Sequence, residues 1–293
     1  MEESTKMLQE QGVQYSSQTS YHQMCRWNSG MFYKHPALEN VRWYWRVEPK
    51  VQFFCNVDYD VFRYMQDQNK TYGFTINLFD TPETIPTLWP ETERFIAAHP
   101  EYIQDNNMVE WLVDDKLRPE HNKKANGYST CHFWSNFEIG DMDFFRGEAY
   151  EAYFNHLDRA GGFFYERWGD APIHSIALGL FEDASKIHWL VFCCRVSSII
   201  GLTDICCSPG SVISGTVTSP TSIAQTLQNV LAATRANFTK ESPSSPKKIA
   251  DPITSNMWGR IDSLHTRASS LPFLHCPETE SFPSSHLDSY FWT

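Results

Sequence analysis

The chain has 293 residues, with 35 acidic side chains against 24 basic ones and a net charge of −11. Such acidity argues against a nucleic-acid partner, because no basic stripe is present to neutralise phosphates. No signal peptide or membrane span is visible: the N-terminus is polar, and the apolar stretch 190–207 is interrupted by Arg195 and Asp204, so the chain reads as soluble.

Residues 4–14 carry Met7, Leu8 and Val13 at helical spacing and predict a short helix. Over 41–47, Val41, Trp43, Trp45 and Val47 alternate with Arg42, Tyr44 and Arg46, which predicts a strand. It stops at Glu48-Pro49, since proline cannot donate to a sheet ladder. Residues 51–54 could resume it, and 71–79 reads as another strand. Pro82, Pro86 and Pro90 mark a long loop, after which 91–98 and 102–113 read as helices. Residues 129–139 form a predicted buried strand. An amphipathic helix over 144–157 ends at Gly161-Gly162, a suitable C-terminal cap. Asp170 followed by Ala171-Pro172 predicts a helix start, with the carboxylate as cap and proline in the first turn, running to about Phe181. Strands alternating with helices point to an α/β domain.

At residue 190 the composition changes. Residues 1–189 hold 35 of the 43 aromatics and the whole net charge, whereas 29 of the last 104 residues are Ser or Thr. We therefore expect a globular domain over 1–189 and a Ser/Thr-rich, poorly ordered or mis-translated tail over 190–293. The pairs Cys193-Cys194 and Cys206-Cys207 lack the C-x-x-C spacing of a zinc site. Asn69-Lys70-Thr71 and Asn237-Phe238-Thr239 fit the glycosylation sequon.

Several groups could carry chemistry. Glu48 sits where a strand ends, the place at which open α/β sheets form their ligand crevice, and could hold a divalent cation there; a solvated surface Glu is the bland reading. The acidic triplets Asp58-Tyr59-Asp60 and Asp141-Met142-Asp143 each precede a helix and read as caps rather than a metal site. Glu138 lies on an otherwise apolar, aromatic strand, which is costly unless the carboxylate is functional or paired, for instance with an Arg. The run from Phe163 to Ser175 packs Glu166, Arg167, Trp168, Asp170 and His174 together, the mixture of flat aromatic surface and charge that a sugar site needs. Its bland reading is a Glu–Arg pair, a core Trp, a capping Asp170 and a satisfied structural His174. Tyr21 to Gly30 alone reads as an aromatic loop with Tyr21 and Trp27 in the core.

The run Phe163–Ser175, together with Trp45-Arg46-Val47-Glu48-Pro49, Ser135-Asn136-Phe137-Glu138 and Tyr21-His22-Gln23-Met24-Cys25-Arg26-Trp27-Asn28-Ser29-Gly30, resembles the fungal Golgi α-1,2-mannosyltransferases, glycosyltransferase family 15. The match covers about residues 5–189. It implies a GT-A-like α/β fold and retaining transfer of mannose from GDP-mannose to the 2-hydroxyl of an α-mannoside on a glycoprotein acceptor. It also implies Mn²⁺ and the luminal side of the Golgi membrane. By the same resemblance Glu138 is the nucleophile, Tyr21 lies near the donor sugar, Arg26 and Ser29 neighbour the donor, and Glu48 is a metal ligand. Glu166, Arg167, Trp168 and Asp170 are implied acceptor contacts. Where some family members have Asp after the proline, this chain has Lys50. Family members begin further upstream, with a membrane anchor and the first nucleotide-binding strands, and continue after Trp189 into a Gly-Tyr-x-His segment that supplies a second metal ligand. Neither is present here, so the fold is expected to be incomplete and residues beyond 189 to be translated intron or frame-shifted sequence. The alternative functions are an inactive truncated member, a carbohydrate-binding remnant and, more distantly, a glycosidase.

Overall fold

The computed structural model describes residues 2–49 and 57–190. The expected strand over 51–54, the tail from 191 and the sequon at Asn237 lie outside them.

Helix α1 (Glu2–Glu10) is followed by α2 (Thr19–Gly30), strand β1 (Trp43–Val47) and α3 (Val61–Asp67). The chain continues through β2 (Tyr72–Phe74), β3 (Asn77–Phe79), α4 (Leu88–Ala98), α5 (Val109–Leu112) and α6 (Pro119–Lys124). Then come β4 (Cys131–Phe133), β5 (Phe137–Asp141), α7 (Met142–Phe145), α8 (Glu148–Ala160), α9 (Gly162–Tyr165), α10 (Asp170–Phe181) and β6 (Ile187–Trp189). One sheet has the order β1-β5-β2-β6, with only β2 and β6 parallel, and β3 pairs with β4 in a second, antiparallel sheet.

Both long strand predictions break in two. Residues 71–79 divide into β2 and β3, and 129–139 into β4 and β5, because the chain crosses from one sheet to the other at each break. The proline-marked loop is shorter than expected: α4 already starts at Leu88 and accommodates Pro90 in its first turn. Of 102–113 only α5 is α-helical; Asn107 Oδ1 accepts from the Val109 amide at 3.0 Å and restarts the backbone there. Tyr21–Gly30 lies within a helix rather than a loop, and Trp27 is 43% exposed, so it is not a core residue. The acidic triplets do cap: Asp60 accepts from the Phe62 and Arg63 amides of α3, and Asp141 from Asp143 in α7. At the end of α8, Gly161 takes φ +81°, the left-handed C-cap that favours glycine.

β1 alternates as its sequence predicts, and both faces are covered. Trp43 and Trp45 pack with Phe137, Ile139, Val61 and Met65 under α3. On the other face Tyr44, Tyr72, Phe74 and Phe133 join the main core with residues of α2, α4, α8 and α10. Glu93 is a misfit in this packing. Its carboxylate accepts from Trp89 Nε1 at 3.1 Å, but burial pushes its pKa up to about 7 from an ordinary 4.5. The native state therefore keeps its proton through a pH window where the unfolded chain has lost it, and stability falls as pH rises through that window. Glu93→Gln retains an acceptor for Trp89 without the charge. It should stabilise the protein near pH 8 by about 1 kcal/mol after allowance for solvent screening, with no gain near pH 4, as read by urea unfolding.

Candidate active site

Glu138 is the centre of the arrangement. It is 1% exposed and stands on β5 opposite Arg46 of β1 and Phe74 of β2. Tyr44 donates to its Oε1 at 3.1 Å and Tyr72 to its Oε2 at 2.5 Å. Burial and the adjacent carboxylate hold both phenols protonated, well above their ordinary pKa. Gly140, facing Tyr44 and Tyr72 in register, makes this reach possible: a Cβ there would stand 2.4 Å from the Tyr44 ring.

His174, in the middle of α10, completes the shell. Its Nδ1 lies 3.2 Å from Glu138 Oε2 and its Nε2 3.1 Å from the Asn28 carbonyl. A carbonyl only accepts, so Nε2 carries a hydrogen, and the contact at Nδ1 then requires a further proton shared with the carboxylate. Burial opposes charge on the ring, but the Glu138 carboxylate outweighs it and the His174 pKa ends above its ordinary value. The pair is therefore an imidazolium held against a carboxylate, with every donor accounted for.

A second chain of charges runs past Glu138. Arg46 donates through Nε and Nη2 to Glu48 Oε1 at 2.8 and 2.7 Å, and through Nη1 to Asp170 Oδ2 at 2.5 Å. Asp170 also accepts from Ser135 at 2.8 Å. The Asp170 carboxyl is 5% exposed; burial works against its ionisation, but Arg46 and His174 prevail and hold its pKa below the ordinary value. Asp170 is the first residue of α10 and Gly169 is the N-cap, so its carboxylate faces Arg46 instead of capping the helix.

Tyr21 lies within electrostatic reach of both Arg167 and Asp170. The Arg167 guanidinium lies 5.7 Å from the Tyr21 ring centroid and 3.5 Å from Asp80. Its Nε is buried with no partner among the described residues, an available donor for phosphate or carboxylate. Burial raises the Tyr21 phenol and pushes the neighbouring Cys25 thiol up to about 12, so Cys25 is no thiolate nucleophile.

Glu48, Tyr21, Glu138, Arg167 and Asp170 thus share one region. Arg26 and Ser29 do not join it. Arg26 makes a two-bond pair with Asp158 of α8 at 2.5 and 2.7 Å, and Ser29 is fully buried with its hydroxyl donated to the Cys25 carbonyl. Trp168 offers no stacking face for a sugar: it is 1% exposed, and a Cβ on Gly162 would stand 2.0 Å from its ring. Glu166 is occupied by the Thr87 amide and hydroxyl and by Trp168 Nε1, a clamp on the start of α4. The residues that sequence reasoning passed over are Tyr44, Arg46, Tyr72 and Ser135. For Tyr44, Arg46 and Ser135 the signal was the polar side of β1 and the Ser-Asn-Phe-Glu segment, since a buried carboxylate needs donors within reach, whereas nothing local marked Tyr72 on β2.

Among the described residues no group of three His, Cys, Asp or Glu could hold a metal ion. Glu48 can still supply one hard oxygen at a strand end, its side chain 36% exposed. That donor suits Mn²⁺ bound largely through ligand oxygens.

The profile of the glycolipid 2-alpha-mannosyltransferase family matches residues 1–195, slightly wider at both ends than the 5–189 expected. Probable mannosyltransferase KTR4 of Saccharomyces cerevisiae is 50% identical over 188 residues, 64% of this chain and 40% of that protein. Glycolipid 2-alpha-mannosyltransferase 2 of Candida albicans is also 50% identical, over 64% of this chain and 39% of its own length. The solved structure of core-mannan synthase A (CmsA/Ktr4) from Aspergillus fumigatus, in an Mn/GDP form, is 76% identical with a TM-score of 0.64, covering 64% of this chain and 50% of that one. The chain therefore spans about two fifths of the curated relatives it matches and half of that solved chain. The expected GT-A-like α/β fold is the fold of the solved mannosyltransferases, and the chain belongs to the glycolipid 2-alpha-mannosyltransferase family, glycosyltransferase family 15.

Proposed function

We propose that the chain carries the sugar-transfer centre of a retaining α-1,2-mannosyltransferase that uses GDP-mannose and Mn²⁺. The acceptor is an α-mannoside on a glycoprotein, met on the luminal side of the Golgi membrane. The observation that carries this reading is the fully hydrogen-bonded carboxylate of Glu138 inside a family whose solved relatives bind GDP. A negative group opposite the anomeric carbon can support retention, acting as nucleophile or as stabiliser of an oxocarbenium-like state. Tyr44, Tyr72 and His174 hold the Glu138 side chain in one orientation for either role, in dry surroundings where electrostatic interactions are strong.

Glu48 would hold Mn²⁺ with the diphosphate, and the ion when bound offsets the charge that builds on the departing GDP. Arg46 sets the direction of the Glu48 carboxylate. Tyr21 and Arg167 line the donor side, and Asp170 acts through Arg46 rather than on the acceptor. Arg26, Ser29, Glu166 and Trp168 are assigned to the scaffold. Cys131 is disulfide-bonded, which fits folding in an oxidising compartment. Among the described residues no helix is long and apolar enough to cross a membrane.

Incubation with GDP-mannose, Mn²⁺ and methyl α-mannoside should yield the 1,2-linked disaccharide. Mannose release without disaccharide would indicate hydrolysis. Absence of any GDP binding would favour the inactive-remnant reading, which draws on the lack of a three-ligand metal group among the described residues. Glu48→Ala should weaken Mn²⁺-dependent GDP binding by more than the roughly 10–100-fold typical of losing an outer-shell partner, as measured by titration calorimetry. Unchanged binding would place the metal elsewhere.

A further inference from the structure

We propose that Asn69 carries an N-linked glycan, attached before β2 docks, at the end of the sheet away from the sugar-transfer centre. The Asn-Lys-Thr sequon starts in the turn that closes α3. The Lys70 amide donates to the Met65 carbonyl at 2.8 Å and the Asn69 amide to Gln66 at 3.1 Å, the paired bonds of a Schellman cap. Asn69 occupies the left-handed position of that cap, at φ +50°. Glycine fits this position at lowest cost, with asparagine next. The cap uses only the Asn69 backbone. Its side chain is exposed and makes no hydrogen bond to any described residue, so the reactive amide nitrogen is presented to solvent.

Thr71 behaves in the opposite way. It is 7% exposed, and its hydroxyl donates to Glu182 at 2.7 Å. A glycosyltransferase that reads both Asn and Thr of a sequon cannot engage that hydroxyl once β2 lies between β5 and β6. The addition therefore belongs to the emerging chain: the Asn69 amide nitrogen bonds to C1 of the first sugar of a lipid-diphosphate donor, the C1–O bond to the diphosphate breaks, and the amide loses one proton.

The position is compatible with the activity proposed. Thr71 sits at the Asp141 end of β5, its carbonyl accepting from the Asp141 amide, whereas Glu138 pairs with Phe74 at the other end of β2. Asn69 precedes β2 beyond its Tyr72 end, and Phe74 is the residue at the opposite end of that strand. Around Asn69 the surface is a shallow cleft lined by Arg42, Trp43, Asp143 and Lys186, polar groups and an aromatic suited to the first sugar.

This inference rests on the chain entering the secretory pathway, as its Golgi assignment requires. The test expresses the full chain in yeast behind a cleavable secretion signal and maps peptides after peptide-N-glycosidase release in ¹⁸O-water, which hydrolyses a glycosylated Asn amide to Asp. Asn69 should be recovered as labelled Asp, and Asn69→Gly, which keeps or improves the cap, should lose one endoglycosidase-sensitive mobility step while folding. Protein refolded without glycan should stay unmodified at Asn69 when offered the oligosaccharyltransferase later. Recovery of unlabelled Asn69 from secreted, folded wild-type protein would overturn the proposal. Because the signal is supplied, that result bears on Asn69 alone, whereas failure of mannosyl transfer by the occupied protein would bear on the function alone.

Discussion

Replacing Glu138 by Gln should reduce mannosyl transfer by on the order of a thousandfold in kcat, with little change in KM for GDP-mannose. Gln has nearly the shape of Glu and keeps an oxygen for Tyr72, so packing around β5 survives. What it removes is the negative charge. Without the carboxylate, the main influence that raises the His174 pKa disappears, leaving burial and Arg46 opposed only by Asp170, so the ring holds its second proton less firmly. The variant thus converts a charged, fully donated oxygen pair into a neutral amide whose nitrogen faces groups built to donate. Steady-state kinetics with a methyl mannoside acceptor measure the loss, and thermal unfolding shows whether the fold persists. A decrease below tenfold in a folded variant would remove Glu138 from the chemistry and leave it as a buried structural anion.

The elements visible in the sequence are those whose pattern is local. The alternation of β1 separates the Trp43 and Trp45 face from the Tyr44 and Arg46 face, and the apolar run after Asp170 is the buried helix α10. The breaks inside 71–79 and 129–139 were not legible as changes of sheet: Thr75-Ile76 is a β-branched pair that favours a strand, and Ser135-Asn136, although both are turn residues, do not say which sheet the chain joins next. Tertiary pairing decides them. Trp168 misled for a related reason: an aromatic between charged residues looks exposed, yet Gly162 lets α9 close over it. In the site, Glu138 and Glu48 stood out as isolated carboxylates on a strand and at its end. Their partners could not be read, since His174 lies 36 residues from Glu138 and Asp170 lies 124 residues from Arg46. Periodicity shows which side of an element is polar, but says nothing of which distant group it meets.

Asp170→Ala should cost about 3–5 kcal/mol of stability, the range expected when one member of a buried ion pair is removed. Asp170 takes the shortest of the Arg46 contacts and the Ser135 hydroxyl, and its loss leaves a guanidinium 17% exposed with Glu48 as its remaining carboxylate contact among the described residues. Such a loss is a large share of the 5–15 kcal/mol that holds a typical domain together. Asp170→Asn keeps an acceptor for Ser135 and should cost less. The pH dependence separates charge from packing. The native carboxyl has its pKa below the ordinary value, so its contribution is complete above the unfolded pKa and disappears as pH falls through the native one. Urea unfolding near pH 7 and again near pH 3 should therefore show the gap between wild type and Asp170→Asn narrowing in acid; a gap independent of pH would mean that shape, not charge, is at work. The variant should also disturb a site it does not touch. Released from Asp170, Arg46 can turn wholly onto Glu48, a stronger competitor for the one carboxylate assigned to the metal. Mn²⁺-dependent GDP binding should then weaken in folded Asp170→Asn, and it should stay intact if Arg46 only braces the sheet.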